Sequence, residues 1–413
     1  MRILHINEND LTGGAARSGL VIHTGLKSHG VDSRMLVRIK RTHDPDVQPI
    51  VSGYRWWIDR ACHFVCDHLS LQYLYCPSSF QLKDHPWVKE ADIIQLFNIH
   101  GSYFSYRALP SLSHLKPVVW RLSDMWSFTG HCGYSYECER WKTGCGACPH
   151  LSAFPPLYFD TSALHWRLKK EVYAKSKMII VTPSRWMHEK VKQSPLLSHF
   201  ESCTIPNGID IETFQAIDKL EARRKLGINA ADQKIILFSA HFIHEKRKGF
   251  SYLIKALESF EQNELSHLTL MVVGNGAKRQ KKDLPCHTIT MEHIDDPRQM
   301  ALIYSAADIF ALPTLADNLP NAVLESMACG TPVVAFDSGG IAEVVKHGET
   351  GYVVPVMDVT ALAKGILTLA SQNSARYQMA TKCRNQIKSE FSQTTQLNRF
   401  MDLYRSILNK IPH

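Results

Sequence analysis

Residues 313–336, PTLADNLPNAVLESMACGTPVVAF, leave few choices to a chain that contains them. An Asp-Asn-Leu-Pro-Asn loop leads into a helix pattern, a Cys-Gly-Thr-Pro stop ends it, and an apolar run, Val333–Phe336, follows at once. Pro320 suits a first helical turn, where a missing backbone N–H costs nothing. Gly330 and Pro332 make an ordinary helix stop. The N–H groups at such a helix start have no intrahelical partners, and the helix dipole favours an anion there. Two acids flank this seat, Asp317 in the loop and Glu325 in the helix. Beside an anion they make sense as readers of hydroxyl groups. The plain alternative is a surface helix with Asp317 solvated and Glu325 in a salt bridge.

The rest of the chain repeats this alternation. Apolar runs at 2–7, 33–37, 92–97, 117–122, 178–182 and 202–206 predict strands of a first α/β domain. Runs at 234–239, 268–273, 287–291, 308–312 and 333–336 predict those of a second. Helix patterns lie between them, and the tail 374–410 reads as helical throughout. The polar segment 212–233 carries no strand, which places a linker near 205–230. Gly13 and Gly14 follow the first strand and let a backbone approach a ligand or simply turn. Asn98 and His100, then Ser123 and Asp124, stand just past two strand ends, where open α/β sheets place ligands. His100 reads equally as a satisfied structural histidine. Arg247 and Lys248 in a strand-to-helix loop read as a diphosphate clamp or as a solvated basic loop.

At 413 residues the chain exceeds one ordinary core. A formal charge of +8 points to anionic partners: sugar nucleotides, phosphoryl lipids, a membrane surface or nucleic acid. The start reads as a strand rather than a leader, and no window reaches ~18 apolar residues. Eleven cysteines then imply a reduced, cytoplasmic setting. Four of them, Cys132, Cys138, Cys145 and Cys148, follow C-x5-C-x6-C-x2-C. A structural zinc, with His131 or His150 as substitute ligands, a disulfide pair and free thiols remain the alternatives. The aromatic stretch 54–80 reads as a packed core or interdomain helix, or as an amphipathic helix on a membrane surface.

Together these pieces resemble the family 4 glycosyltransferases. The resemblance rests on Gly13-Gly14, Pro183-Ser184, IPNGID at 205–210, RKGF at 247–250 and Gly274-Asn275-Gly276. It rests most on 313–332, which is similar to the family signature P-S-x-x-E-x7-E-A-x-A-x-G-x-P. It implies the α/β GT-B fold: two Rossmann-like domains facing a central cleft, with a C-terminal helix returning to the first. The implied bounds are 1–210 for an acceptor-binding domain with a Cys-rich insert at about 130–150, 211–390 for a nucleotide-sugar domain, and 391–413 for the returning helix. The implied reaction is retaining, metal-independent hexosyl transfer from a nucleotide-diphosphate sugar to a glycan or lipid-linked acceptor in surface polysaccharide biosynthesis, with peripheral inner-membrane contact and no nucleic-acid partner.

Residue by residue, the resemblance makes Lys248 and Arg247 stabilisers of the donor diphosphate. Backbone groups at Asn318, Leu319, Pro320 and Asn321 hold the distal phosphate and the sugar. Asp317 reads sugar hydroxyls and Glu325 the ribose. Gly13, Gly14, His241 and Gly274 complete the donor side; Asn98, His100, Ser123 and Asp124 are acceptor-side candidates by their place past strand ends, since the family's His-Asp pair does not carry over onto Ser123. No cofactor is implied beyond a structural zinc. The departures are Asp317 for a usual Glu, Ala240-His241 for Gly-Arg, and Ser123-Asp124 for His-Asp. They motivate an alternative, a catalytically impaired GT-B partner or scaffold subunit. The Cys cluster and the charge motivate another, a zinc-knob nucleic-acid binder. The C-G-x-C-P segment and the W-R-L-S-D-M-W-x-F-T-G run resemble a subgroup from bacterial capsule, exopolysaccharide and O-antigen gene sets.

Overall fold

Short strands that are apolar at every position can only be paid for by cover on both faces, which a parallel sheet flanked by helices supplies. The computed structural model, which describes residues 1–11, 13–229, 233–280 and 284–410, has two such sheets. Thr12 of the glycine loop, residue 230 of the expected linker and residues 411–413 of the expected terminal helix lie outside the described residues. The chain divides into a first unit, Met1–Pro206 with Gln396–His413, and a second, Asn207–Thr395.

Among the described residues the first unit has strands β1 Arg2–Asn9, β2 Asp32–Ile39, β3 Val47–Pro49, β4 Ile93–Leu96, β5 Val118–Arg121, β6 Met178–Thr182 and β7 Glu201–Thr204. All pair in parallel, in the order β3-β2-β1-β4-β5-β6-β7. The strand order reverses between β1 and β4, and ligand crevices form at such a switch point, beyond the carboxyl ends of the strands. One face of this sheet is covered by a large aromatic core that includes Trp120, Trp126 and Tyr173. The other face packs Ile3, Ile93 and Val119 against Leu397, Phe400 and Tyr404 of the helix Gln393–Asn409. Tyr404 Oη donates to Gln95 Oε1 within this layer.

The second unit has β8 Lys234–Phe242, β9 Leu268–Asn275, β10 His287–Met291, β11 Ile309–Leu312, β12 Val333–Phe336 and β13 Gly351–Val354, again parallel, ordered β10-β9-β8-β11-β12-β13. Its switch point lies between β8 and β11, which pair Ile236 with Ile309. Buried apolar clusters cover both faces. Just before β11, Asp308 accepts from Arg223 Nη2 and Lys219 Nζ, each at 2.7 Å, and from Ile235 N at 2.8 Å. That buried carboxylate ties the helix Lys219–Lys225 to the sheet, so these residues belong to the second unit rather than to a linker.

Two elements differ from the sequence reading. β3 and β13 were not expected: β3 is three residues at a sheet edge, and β13 opens on a glycine. The helical tail is two helices, Asn373–Glu390 and Gln393–Asn409. Among the described residues no helix is long and apolar enough to cross a membrane.

Candidate functional site

In the second unit, the loops after β8 and β11 meet at the switch point. After β8 the chain makes a single tight turn, Lys246–Lys248, and enters the helix Phe250–Glu258 through Gly249. Gly249 has φ +77°, and a Cβ there would stand 1.8 Å from the Pro313 carbonyl oxygen. Only glycine lets these two loops touch. The contact is fixed by Leu315 N and Thr314 Oγ1, which donate to the Arg247 carbonyl at 2.8 and 3.0 Å.

This docking brings two cations onto one carboxylate. Lys248 Nζ donates to Asp317 Oδ2 at 2.6 Å, and Arg247 Nη1 to the same oxygen at 3.2 Å and to the Ala316 carbonyl at 2.7 Å. Arg247 also donates through Nε to Glu245 Oε1 at 2.8 Å. Asp317 Oδ1 accepts from Asn318 N at 3.0 Å. Burial would raise the Asp317 carboxyl, but the Lys248 and Arg247 charges outweigh it and hold the pKa at about 2. Both Asp317 oxygens are thus engaged within the protein, as counter-ion to the cations as well as loop brace.

The helix that begins here, Asn321–Ala328, starts one residue later than expected. Pro320 has ψ 125° and stands at the N-cap, where no side chain caps the helix. Asn318 and Leu319 are buried in the approach to it. Asn207 Nδ2 donates to the Leu319 carbonyl at 2.9 Å and to Asn321 Oδ1 at 2.7 Å. From behind, Gly340 N donates to the Asn318 carbonyl at 2.6 Å, and a Cβ on Gly339 (φ +63°) would meet the Asp317 carbonyl oxygen at 1.7 Å. One turn into the helix, Glu325 Oε2 accepts from the buried Tyr304 hydroxyl at 3.0 Å. Asn207, Gly339 and Tyr304 were given no role in the sequence reading. Asn207 stands in the IPNGID motif and Gly339 in a Gly-Gly pair after β12; Tyr304 carries no local signal.

Gly274, the last residue but one of β9, has φ +146°, and a Cβ there would stand 1.8 Å from the Ala240 carbonyl oxygen. His241 lies exposed at the end of β8, its ring 4.5 Å from that of His293. Beside it opens a cavity of about 790 Å³ lined by Phe242, His244, Asn275, Gly276, Arg279 and Glu292. Glu292 accepts from Gly276 N at 3.0 Å and so shapes the glycine turn.

In the first unit the acceptor-side candidates gather at the strand ends. His100 Nε2 and Asp124 Oδ2 are 2.8 Å apart, both largely buried, and Trp126 N donates to Asp124 Oδ1 at 3.0 Å. Burial would raise the Asp124 carboxyl; the neighbouring His100 holds it below its ordinary value instead. The Asn98 carbonyl accepts from Tyr103 Oη at 2.6 Å, and Ser123 precedes Asp124 beyond β5. Gly13 has φ +93° and caps the helix Gly14–Ser28; added Cβ atoms at Gly13 and Gly14 would meet nothing within 4 Å, so this loop is open. Glu8, unnoticed in the sequence, stands against Gly101 and accepts from Arg38 Nη2 at 3.3 Å.

In the Cys-rich insert two of the four cysteines make hydrogen-bonding contacts within the protein. Cys145 Sγ accepts from Gly130 N at 3.2 Å, and Cys148 Sγ lies 3.3 Å from His131 Nε2. Burial pushes the Cys132 thiol up to about 12 and Cys145 to about 11, which keeps them protonated. Among the described residues no three His, Cys, Asp or Glu side chains group to hold a metal ion, and Cys132, Cys138, Cys145 and Cys148 form no disulfide. The segment leading into the insert is held by Lys169, whose side chain has no exposure. It donates to the Trp126 and Thr129 carbonyls at 2.5 and 3.0 Å and lies 3.8 Å from the Trp126 ring centre. Desolvation lowers its pKa to about 7.

Residues 233–372, most of the second unit, match the family model described as Glycosyl transferases group 1. A phosphatidyl-myo-inositol mannosyltransferase of Mycobacterium leprae is 31% identical over 181 residues, 43% of this chain and 46% of that protein. A putative colanic acid biosynthesis glycosyl transferase, WcaC, of Escherichia coli is 22% identical over 299 residues, 70% of this chain and 68% of that one. The chain thus spans about half the length of the mycobacterial relative it matches. Among solved structures, sucrose-phosphate synthase from Thermosynechococcus elongatus superposes with a TM-score of 0.70 at 18% identity, covering 100% of both chains. Anabaena HepE in complex with UDP-glucose gives 0.68 at 17%, covering 98% of this chain and 100% of that one. These likenesses establish the fold as that of the GT-B class.

Proposed function

We propose that this relative of the group 1 glycosyltransferases moves a sugar, with retention, from a nucleoside-diphosphate sugar to a hydroxyl of a glycan or lipid-linked glycan in surface polysaccharide synthesis. The observation that carries the reading is the meeting of Lys248, Arg247 and Asp317 at the mouth of the helix Asn321–Ala328. Two cations and an uncapped helix start suit a diphosphate, and two carboxylates beside them suit hydroxyl groups. The matches to a mannosyltransferase and to WcaC, and the UDP-glucose bound by HepE, support the donor class.

In this reading the diphosphate lies against Lys248 and Arg247, which stabilise the charge that grows as the glycosidic bond breaks. Asp317 keeps the two cations in register and offers its remaining lone pairs to the sugar. Glu325, oriented by Tyr304, accepts from the ribose hydroxyls. The departing diphosphate oxygen takes the proton of the acceptor hydroxyl as the new bond forms on the same face. The chain supplies position and electrostatics rather than a nucleophile. His100 and Asp124 form the acceptor-side pair. The test is incubation with a panel of UDP-, GDP- and ADP-sugars, read as slow donor hydrolysis. Release of a nucleoside diphosphate from one donor class supports the reading; no release from any of them contradicts it.

A further inference from the structure

The helix Tyr54–His68 is built inside out. Its inward side carries Asp59, 7% exposed, which accepts from Ser78 N at 3.1 Å, along with the half-buried Cys62, His63 and Cys66. Its outward side carries Trp57 at 66% and Phe64 at 62% exposure, with Tyr54, Ile58 and Val65 on the same face. These positions follow the i, i+3, i+4, i+7 spacing of a single helical stripe. Of the two readings that the sequence allowed for this stretch, a packed core or interdomain helix and an amphipathic surface helix, the geometry fits the second: the polar side packs and the apolar side faces solvent.

The stripe does not end with the helix. Ser70 Oγ accepts from Tyr158 N and Phe159 N, each at 2.8 Å, and the Tyr158 ring stacks on His68 at 5.7 Å. Tyr158 and Phe159 are themselves 65% and 62% exposed. Contiguous exposed aromatic residues, linked from Phe64 through His68 to Tyr158, mark an interaction site rather than scattered exposed residues.

Charge identifies the occupant. The first unit holds 27 Lys and Arg against 18 Asp and Glu, a surplus of nine; the second holds 20 against 21. The chain's positive charge thus lies wholly in the unit that bears the aromatic surface. On the helix itself Arg55 and Arg60 are exposed and flank the apolar stripe, about 60° beyond Ile58 on one side and about 40° beyond Phe64 on the other, at 100° per residue. An apolar stripe edged by arginines, rich in Trp and Tyr and set in a cationic unit, is the pattern of a helix lying in the headgroup region of an anionic bilayer.

We infer that the helix Tyr54–His68, continued by Tyr158 and Phe159, docks the first unit on an anionic lipid bilayer. The test uses the full chain in flotation with phosphatidylglycerol-containing vesicles and with phosphatidylcholine vesicles, beside its oligomeric state by sedimentation. Binding to the anionic vesicles, weakened by salt, is expected. The Trp57→Ser/Phe64→Ser variant should lose about tenfold in vesicle affinity at an unchanged melting temperature. Arg55→Glu/Arg60→Glu should lose binding to anionic vesicles while keeping its fold, a second arm that does not touch the aromatic residues. Three results overturn the inference: no binding to anionic vesicles, full binding by both variants, or a dimer that Trp57→Ser/Phe64→Ser turns into monomers, which would assign the surface to a second copy of this chain. Vesicle binding needs neither donor nor acceptor, so its failure leaves the proposed reaction standing, and failure of the reaction leaves this inference standing.

Discussion

Lys248 Nζ lies 2.6 Å from Asp317 Oδ2, and Arg247 reaches the same oxygen at 3.2 Å, so one carboxylate serves two cations at the start of a helix. A bound diphosphate would compete with that carboxylate for both. Asp317→Asn keeps the shape and removes the charge. Its nucleoside diphosphate affinity is expected to rise about tenfold, the equivalent of roughly 1.4 kcal/mol, while sugar turnover falls. Calorimetric titration beside a steady-state rate separates the two effects.

Tyr304 Oη donates to Glu325 Oε2 at 3.0 Å, and Tyr304→Phe removes that hydrogen bond while keeping the ring. A bond to a charged group contributes about 1.5–3 kcal/mol. The variant should raise the donor KM about tenfold or more and leave kcat nearly unchanged, because the bond orients the ribose reader rather than the reacting centre. Equal loss in kcat would place Glu325 elsewhere.

Gly339→Ala puts a methyl group 1.7 Å from the Asp317 carbonyl oxygen at a backbone angle that L side chains rarely adopt. The loop from Asp317 to Pro320 must then move. A stability loss of about 1–3 kcal/mol is expected, with nucleotide binding lost more completely than stability. Gly13→Ala also carries a positive φ, but a methyl there meets nothing within 4 Å, so its effect should be confined to the open loop.

Lys169 gives a pH signature. Its pKa falls from 10.5 to about 7 on folding, through desolvation. Between those values the unfolded chain holds a proton that the folded chain has released, so stability rises with pH across about pH 7 to 10. Lys169→Met lacks that rise. Urea midpoints of both proteins under reducing conditions, compared across this range, should converge or cross as the wild type gains; parallel curves would contradict a desolvated Lys169.

The sheets were legible because most of their strands carry apolar runs that end in glycine, proline or a polar pair. Residues 234–239 and 333–336 could be read from one line of sequence. β3 and β13 could not, since Val-Gln-Pro and Gly-Tyr-Val-Val are too short to show a period and pair only at an edge. The polar stretch around Lys219–Lys225 looked like a linker because its anchor, Asp308, is more than 80 residues away. The same holds for the site. Lys248 and Asp317 were each legible from their motifs, but their contact depends on Gly249 approaching Pro313, which no local pattern encodes. Tyr304 was invisible for that reason. The stretch 54–80 stayed open because helical spacing gives the direction of an apolar stripe relative to the helix and not relative to the protein; the Asp59 bond to Ser78 N decides it.

The central claim is that the second unit binds a nucleoside diphosphate through Lys248. Calorimetric titration of UDP, GDP and ADP into the wild-type chain and into Lys248→Ala tests it most directly. The account predicts that at least one of the three binds the wild type, and that Lys248→Ala binds it about tenfold or more weakly, as expected for losing a charged hydrogen bond to phosphate. Absence of binding by all three, or equal binding by Lys248→Ala, would contradict it.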